Sequence, residues 1–208
     1  MPAVKTSPGA TLVLQGVSCV RGERSLFSGF DLRAEPGTIV WLRGANGRGK
    51  TTLLRTVAGL STAAAGTIVL PPGPLLYLAH ANALKDDLTV AEALRFLVRL
   101  DAARLATDAS IEAALACLGM ASRRNAPVGT LSQGQRRRVA LARLAADDGA
   151  GLWLLDEPYD ALDVDAVAVL DALLAGHARR GGIVVLTSHL PLALTDPMPV
   201  VVELGGGA

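Results

Sequence analysis

Short, almost entirely apolar stretches alternate with amphipathic periodicities along much of the chain. The apolar stretches predict strands that are buried on both faces, as in a parallel sheet, and they cover 38–43, 75–79, 151–157 and 182–187. Helical periodicity predicts helices over 49–58 and 163–178. Because strands alternate with helices, we predict an α/β fold whose ligand lies beyond the carboxyl ends of the strands. Trp41 and Trp153 fall in two of these strands, which we expect to be neighbours.

The remaining predicted strands are short, and the middle of the chain is helical. Strands are expected over 11–15, 31–33 and 67–70, bounded by turn residues. Between about 83 and 145, Thr89 and Glu92 predict a capping box at the start of one helix, and an apolar stripe at Ile111, Leu115 and Leu118 predicts another. We therefore expect one domain over 1–208, with an α/β core of about 1–82 and 146–208 and a helical subdomain of about 83–145.

A glycine-rich segment follows the strand predicted over 38–43. Gly44 and Gly49 flank four residues and precede Lys50 and Thr51, a spacing typical of phosphate-binding loops, although a plain glycine-rich turn is the alternative. Glycine lets backbone N–H groups turn towards a phosphate, and the following helix adds the positive end of its dipole. Lys50 is one of only three lysines, against 17 arginines. The predicted phosphate-binding residues are Gly44, Ala45, Asn46, Gly47, Arg48, Gly49, Lys50, Thr51 and Thr52, and Thr51 would also ligate Mg²⁺.

Two carboxylates end the apolar stretch over 151–157. Asp156 would hold Mg²⁺, directly or through water, and Glu157 would orient or deprotonate an attacking water. Pro158 favours extended backbone at Glu157, which would aim that side chain out of the sheet. The same pair of carboxylates could instead cap the next helix.

Two further segments offer groups that could meet a phosphate. The segment Leu131, Ser132, Gln133, Gly134 and Gln135 precedes a basic helix, where a hydroxyl and backbone N–H groups can bind an anion. His189 ends the last predicted strand and could donate a hydrogen bond to a γ-phosphate. A histidine at a strand end can also be structural, but the order and spacing of the motifs together favour a functional role.

Composition excludes several classes of function. The net charge of +1 gives no general attraction to nucleic acid or acidic lipid. No apolar run approaches the roughly 18 residues that cross a bilayer. The two cysteines form neither a metal spacing nor a disulfide framework, which favours a reducing compartment. The run Arg136 to Arg138 predicts a solvated helix face, and nucleic-acid contact is the alternative, although aromatic residues are not interleaved with the arginines.

Taken together, these segments resemble the nucleotide-binding subunits of ATP-binding-cassette (ABC) transporters over nearly the whole chain. The resemblance implies a P-loop NTPase fold with a small antiparallel β part, ATP and Mg²⁺ as cofactors, and Glu157 and His189 as catalytic residues. It also implies a homodimer, in which residues 131–135 of one subunit close over ATP held by the other. The helical subdomain would then face transmembrane subunits. The implied dimer-interface loop consists of Asp160, Ala161, Leu162 and Asp163.

Several phrases resemble more narrowly the ATPase subunits of cytochrome c maturation, the haem-exporter ATPases. They lie at 24–29, 77–80, 84–89, 153–159 and 181–189. The resemblance implies a peripheral subunit on the cytoplasmic face of the inner membrane, which couples ATP hydrolysis to haem export or to release of a haem-loaded chaperone. Because the sequence has no C-x-x-C-H motif, we expect no direct haem binding, and we expect no nucleic-acid partner.

Four positions depart from the usual ABC pattern. His80 stands where most such ATPases carry a glutamine that touches Mg²⁺, so it is either a metal contact or a solvent-exposed histidine at a strand end. Arg21 stands where an aromatic residue usually meets adenine; its guanidinium could stack on the base, and Phe27 is the other candidate. Gln133 replaces a glycine of the signature segment. Asp160 replaces a small hydroxyl residue and adds negative charge near the expected dimer interface.

Two other functions are compatible with the sequence. One is the ATPase subunit of an unrelated exporter. The other is a soluble ABC ATPase that acts on ribosomes or DNA, a class that usually has two cassettes or a long coiled-coil insertion, neither of which this sequence shows.

Overall fold

The strands of the protein form two sheets. The computed structural model describes residues 4–6, 11–22, 24–100 and 106–205. The larger sheet contains β4 (Ile39–Arg43), β6 (Leu75–Leu78), β7 (Leu152–Leu155), β8 (Ile183–Thr187) and β9 (Val200–Glu203). The smaller sheet contains β1 (Val4–Thr6), β2 (Leu12–Arg21), β3 (Arg24–Ala34) and β5 (Ala65–Leu70).

The larger sheet is parallel throughout, in the order β6-β7-β8-β4-β9. All five strands therefore end at one edge, where the loops after β4, β6, β7 and β8 meet. The smaller sheet has the order β1-β5-β2-β3, with β2 antiparallel to both β3 and β5. The predicted α/β class with a parallel sheet and a small antiparallel part is confirmed.

The helices divide between the two faces of the parallel sheet. They are α1 (Lys50–Val57), α2 (Val90–Leu100), α3 (Asp108–Cys117), α4 (Gln133–Ala145) and α5 (Val164–Arg179), with 3-10 turns at Ala121–Arg123 and Val128–Thr130. At the start of α2, the Glu92 carboxylate accepts from Thr89 N at 2.9 Å, and Thr89 Oγ1 accepts from Glu92 N at 3.3 Å, as the capping box predicts. Within 83–145, helices α2, α3 and α4 pack on one another; the boundaries of a helical subdomain stay a prediction.

Alternate side chains of the parallel strands feed two separate cores. Trp153 and Leu155 of β7 pack with α2 to α5, whereas Leu152 and Leu154 pack with α1 and the smaller sheet. Side chains on a strand point alternately to opposite faces, so a strand apolar at every position needs cover on both sides. This packing fixes the carboxyl ends of the strands, where the candidate site lies.

Two expectations about the sheets were wrong. Trp41 and Trp153 do not lie on neighbouring strands, because β8 is inserted between β4 and β7. Strands β2 and β3 are also far longer than predicted, since β2 contains register shifts around Gly16 that break the alternation of apolar residues. The turn residues that follow the strand predicted over 11–15 lie at 21–24, and one of them, Glu23, lies outside the described residues. Among the described helices, none has the length and apolar character needed to span a membrane.

Candidate functional site

The glycine-rich loop connects the end of β4 to the start of α1. Gly44 has φ 145°, and a Cβ at this position would lie 2.8 Å from the carbonyl oxygen of Leu204. Gly49, the N-cap of α1, has φ 99°, and its Cβ would lie 3.0 Å from the Phe27 ring. Both positions therefore require glycine. No side chain caps α1, so its first N–H groups face the loop and can bind an anion.

The ammonium group of Lys50 lies across this loop. Lys50 Nζ donates to the carbonyl oxygen of Gly44 at 2.7 Å, which holds the side chain folded back over the turn. An ammonium has three donors, so two remain for phosphate oxygens. The structure thus places a positive charge and a helix amino terminus on the same concave backbone.

One cavity of about 330 Å³ collects most of the residues predicted from separate motifs. Its lining includes residues from the loop, from the ends of β6, β7 and β8, and from β2. These are Arg21, Asn46, Gly47, Gly49, Lys50, Thr51, Thr52, His80, Asp156, Glu157 and His189, together with Leu26. Gly44 and Ala45 line a neighbouring cavity with Lys50 and His189, and Arg48 lines a third. Phe27 is absent from the lining of the first cavity, whereas Arg21 is present, which favours Arg21 as the base contact.

Asp156 is buried at the end of β7, where Thr187 of β8 orients it. The Thr187 hydroxyl donates to Asp156 Oδ1 at 3.0 Å and accepts from Glu157 N at 2.8 Å. Asp156 Oδ2 is buried and has no hydrogen-bond partner among the described residues. A buried, unpaired carboxylate oxygen beside a phosphate-binding loop suits Mg²⁺, which prefers oxygen ligands and commonly takes only one or two from protein. The residues present therefore fit this metal. No larger His, Cys, Asp and Glu cluster suited to a metal occurs in the described part of the chain.

Glu157 and His189 lie against each other at the edge of the cavity. Glu157 Oε2 accepts from His189 N at 3.0 Å, and Glu157 Oε1 lies 3.5 Å from His189 Nε2. The glutamate side chain is only 10% exposed, whereas that of His189 is 55% exposed. The Glu157 carboxylate is therefore fixed by the backbone N–H of His189, just after β8. The His189 imidazole is more than half exposed and can meet a ligand.

The backbone at Glu157 is not extended, contrary to the prediction from Pro158. Its φ of 50° lies in the left-handed region, which costs a non-glycine residue on the order of 1 kcal/mol. The preference imposed by the following proline is overridden by hydrogen bonds to the backbone on both sides of Glu157. The turn points the carboxylate at the cavity and not along the strand.

His80, which lines the cavity, lies close to Asp160. His80 Nδ1 lies 3.5 Å from Asp160 Oδ2, and the two side chains are 69% and 43% exposed. His80 is exposed, which agrees with one of the two alternatives left open by the sequence, and it also lines the cavity, whereas a contact between His80 and a metal stays a prediction. The pair links two of the four positions at which this chain departs from the usual pattern.

Comparisons with known proteins agree with this arrangement. The sequence matches the ABC transporter family model over residues 27–160. A cytochrome c biogenesis ATP-binding export protein CcmA of Aromatoleum aromaticum is 42% identical, with 97% of each chain covered. The CcmA of Dechloromonas aromatica is 44% identical, covering 86% of this chain and 92% of its own. The chain belongs to the CcmA family of ABC transporters.

The fold of this CcmA-family chain also matches a solved structure. That structure, of a candidate ABC transporter ATP-binding protein from Pyrococcus furiosus, has a TM-score of 0.80 at 26% identity and covers 93% of this chain and 97% of that chain. The ABC-type ATPase fold expected from the sequence is therefore confirmed. The match to the ABC transporter family model implies that the chain binds ATP.

The signature segment of this CcmA-family chain lies apart from the cavity. Residues 131–135 are absent from the lining of the cavity that holds the phosphate loop. Ser132 is the N-cap of α4 and forms a capping box with Gln135: Ser132 Oγ accepts from Gln135 N at 3.3 Å, and Gln135 Oε1 accepts from Ser132 N at 3.0 Å. A Cβ on Gly134 would lie 2.9 Å from the carbonyl oxygen of Ala161. The signature segment thus packs on the loop of Asp160, Ala161, Leu162 and Asp163.

Two important residues of the site were missed or misread from the sequence. Thr187 was predicted only as part of a strand, yet its hydroxyl joins Asp156 to Glu157. Arg137 was predicted to lie on a solvated face, but it is only 2% exposed. Burial lowers the pKa of Arg137, and the charges of Asp160, Asp156 and Glu157 oppose that shift. Helical spacing gave a signal, because Arg137 precedes the buried Ala140, Leu141 and Leu144 at intervals of three and four.

Proposed function

We propose that this chain is the ATP-hydrolysing subunit of a membrane-bound ABC complex that serves cytochrome c biogenesis. The observation that carries the hydrolytic part is the convergence of Lys50, Asp156, Glu157 and His189 on one cavity. The biological role rests on identity of 40% or more, over nearly full length, to curated proteins named for cytochrome c biogenesis.

The residues divide the work of phosphoryl transfer among themselves. Lys50 and the N–H groups of the loop hold the β- and γ-phosphates, and Arg21 stacks on the base. Glu157 orients or deprotonates the attacking water, and the bond from the γ-phosphorus to the bridging oxygen breaks as the new bond forms. His189 donates a hydrogen bond to the γ-phosphate. When bound, Mg²⁺ held by Thr51, Asp156 and His80 would neutralise phosphate charge.

The proposed assembly is a head-to-tail homodimer on transmembrane subunits. The separation of residues 131–135 from the cavity supports this proposal, because a partner's signature segment would complete the site. The dimer would sit peripherally on the cytoplasmic face of the inner membrane, with the part over 83–145 against the transmembrane subunits. Hydrolysis would drive haem export or release of a haem-loaded chaperone, without direct contact between haem or nucleic acid and this chain.

Removal of the catalytic carboxylate tests the hydrolytic assignment. Glu157→Gln keeps the size of the side chain and should abolish turnover while ATP still binds. The trapped nucleotide should then stabilise a dimer, measurable by light scattering after size-exclusion chromatography. Wild-type turnover in this variant would show that Glu157 has been assigned wrongly.

A deletion strain tests the biological role. We expect loss of haem staining of periplasmic c-type cytochromes, restored by the wild-type gene and not by Lys50→Ala. Normal cytochromes in the deletion strain would exclude the cytochrome c role. In that case the membrane subunits that co-purify with the chain would identify the exporter it serves.

A further inference from the structure

Arg137 is a buried cation, and no carboxylate side chain among the described residues accepts a hydrogen bond from it. Each of its nitrogens instead donates to a carbonyl oxygen. Nε donates to Pro158 O at 3.3 Å, and Nη2 donates to Asp156 O at 3.1 Å and Glu157 O at 2.5 Å. Nη1 donates to Ala79 O at 3.2 Å and to Asn82 Oδ1 at 3.0 Å. The five N–H donors of a guanidinium are thereby all used.

The acceptors belong to two loops that line the candidate site. Three of them are the consecutive carbonyl oxygens of 156–158, at the end of β7. Successive carbonyls in an extended strand point in opposite directions, so they can meet one guanidinium only if the chain turns. The turn is supplied by Glu157, whose φ is 50°. The left-handed turn therefore directs the carbonyl oxygens of 156–158 towards the guanidinium of Arg137.

The second loop follows β6 and carries His80. Arg137 Nη1 reaches Ala79 O at 3.2 Å and His80 O at 3.5 Å. One rigid, planar group therefore spans the loop of His80 and the loop of Glu157. Arg137 is itself on α4, two residues after the end of the signature segment, so the same group ties both loops to the signature helix.

We propose that Arg137 is a positioning residue, which holds Glu157 and the His80 loop in the geometry needed for hydrolysis and couples that geometry to the signature helix. This inference rests on the proposed ATPase function and deepens it. The chemistry requires arginine, because only a planar fork meets carbonyls from two loops at once; an ammonium cannot reproduce it. Arg137 does not itself line the cavity, so its effect would pass through Glu157 and the His80 loop and not through direct contact with the nucleotide.

The test is a comparison of turnover and binding in the purified full chain. The variants are Arg137→Gln and Arg137→Lys. The control is Arg124→Gln, which removes an arginine from an exposed ion pair with Glu112 at 3.1 Å. A fluorescent ATP analogue would count the sites competent to bind, and turnover would be expressed per competent site. We expect kcat per site to fall about tenfold or more in both Arg137 variants, with KM within about threefold of wild type and the control unchanged.

A purely structural role predicts a different pattern. It would lower the number of competent sites and leave the turnover of each remaining site within about twofold of wild type, which would overturn the inference. If Arg137→Gln does not fold, Asn82→Ala decides, since it removes one acceptor of the guanidinium from a half-buried position. Reduced kcat per site in Asn82→Ala would support the inference, and unchanged kcat would overturn it. An absence of hydrolysis by the wild-type chain co-purified with its membrane subunits, the form used if the chain alone is inactive, would instead overturn the proposed function itself.

Discussion

At the scale of single residues, the hydroxyl of Thr187 contributes to both stability and geometry. Thr187 is fully buried and joins Asp156 Oδ1 to the backbone N–H of Glu157. Thr187→Val keeps the shape but leaves both groups unpaired, which should lower the free energy of unfolding by about 2 kcal/mol. It should also lower kcat, because the Asp156 carboxylate and the backbone of Glu157 each lose an anchor. Urea denaturation and ATPase assays measure these two effects. Thr187→Ser is the control, because it retains the hydroxyl. Equal stability and equal kcat in the two variants would contradict the role assigned to the Thr187 hydroxyl.

A second prediction at this scale concerns His177, a buried histidine stacked on Trp153. The ring centroids are 3.8 Å apart, His177 Nε2 lies 3.0 Å from Gly151 O, and Nδ1 has no hydrogen-bond partner among the described residues. Burial lowers the pKa of His177, an effect that hydrogen bonds to Gly151 and Ile183 and the charge of Asp147 partly offset. The folded state thus binds a proton less readily than the unfolded state. Stability from this residue is full at neutral pH and is lost as the pH falls through about 6.5.

The expected slope is at most about 1.4 kcal/mol per pH unit below pH 6.5. Urea denaturation at several pH values between 5 and 7.5 measures it. His177→Phe keeps the stack on Trp153 and removes the titrating group, so the curve should flatten even if the variant is less stable throughout. The interpretation fails if the slope of His177→Phe equals that of the wild type, because other groups would then cause the pH dependence.

At the scale of elements, one side chain at the start of α4, that of Ser132, has two roles in the proposed dimer. Ser132 caps the helix within its own chain, and the proposed dimer would also use its hydroxyl at a partner's ATP. Ser132→Ala should therefore lower the free energy of unfolding by about 1 kcal/mol in the absence of ATP. Gln133→Ala, an exposed neighbour outside the capping box, should stay within about 0.5 kcal/mol of wild type. Equal stability of the two variants in urea would contradict the importance of the cap.

The elements also show what the sequence could and could not predict. The four strands β4, β6, β7 and β8 were predicted because they are apolar at nearly every position, a pattern that depends on local composition alone. Strands β2 and β3 were predicted too short, since their length comes from pairing with each other across shifts of register. The short β1 and β9 were not predicted. Sheet order was also beyond the sequence, because it depends on crossovers and not on local pattern.

In the candidate site too, the residues set by local sequence were predicted, and a residue whose burial depends on distant contacts was not. Loop and strand-end residues were predicted because phosphate chemistry restricts their type and spacing, and the structure brings most of them to one cavity. Arg137 was misread because its burial depends on two loops distant in sequence, 55 and 21 residues away at Asn82 and Pro158. The local sign that the middle arginine of the run turns inward lay in helical spacing, since Arg137 precedes the buried Ala140, Leu141 and Leu144 at intervals of three and four.

At the scale of the whole molecule, the question is whether one chain can complete its own site. Each motif occurs once, and residues 131–135 do not line the cavity that contains Lys50. In a head-to-tail dimer, every site combines the phosphate loop of one chain with the signature segment of the other. Defects in these two segments should then complement each other when they lie on different chains, which cannot happen if each chain works alone.

The test mixes two inactive variants, Lys50→Ala and Ser132→Arg, in equal amounts. Each alone should be nearly inactive, since every site in its homodimer lacks one half. About half of the mixed dimers should be heterodimers, and each of these has one intact site, so activity should recover to roughly a quarter of wild type. The double variant mixed with either single variant should recover nothing, because no pairing yields an intact site. Failure of the two single variants to complement each other would have one of two explanations: the site is completed within one chain, or both sites of a dimer must be intact. A mixture of Lys50→Ala with wild type separates these two explanations, because its heterodimers also keep one intact site.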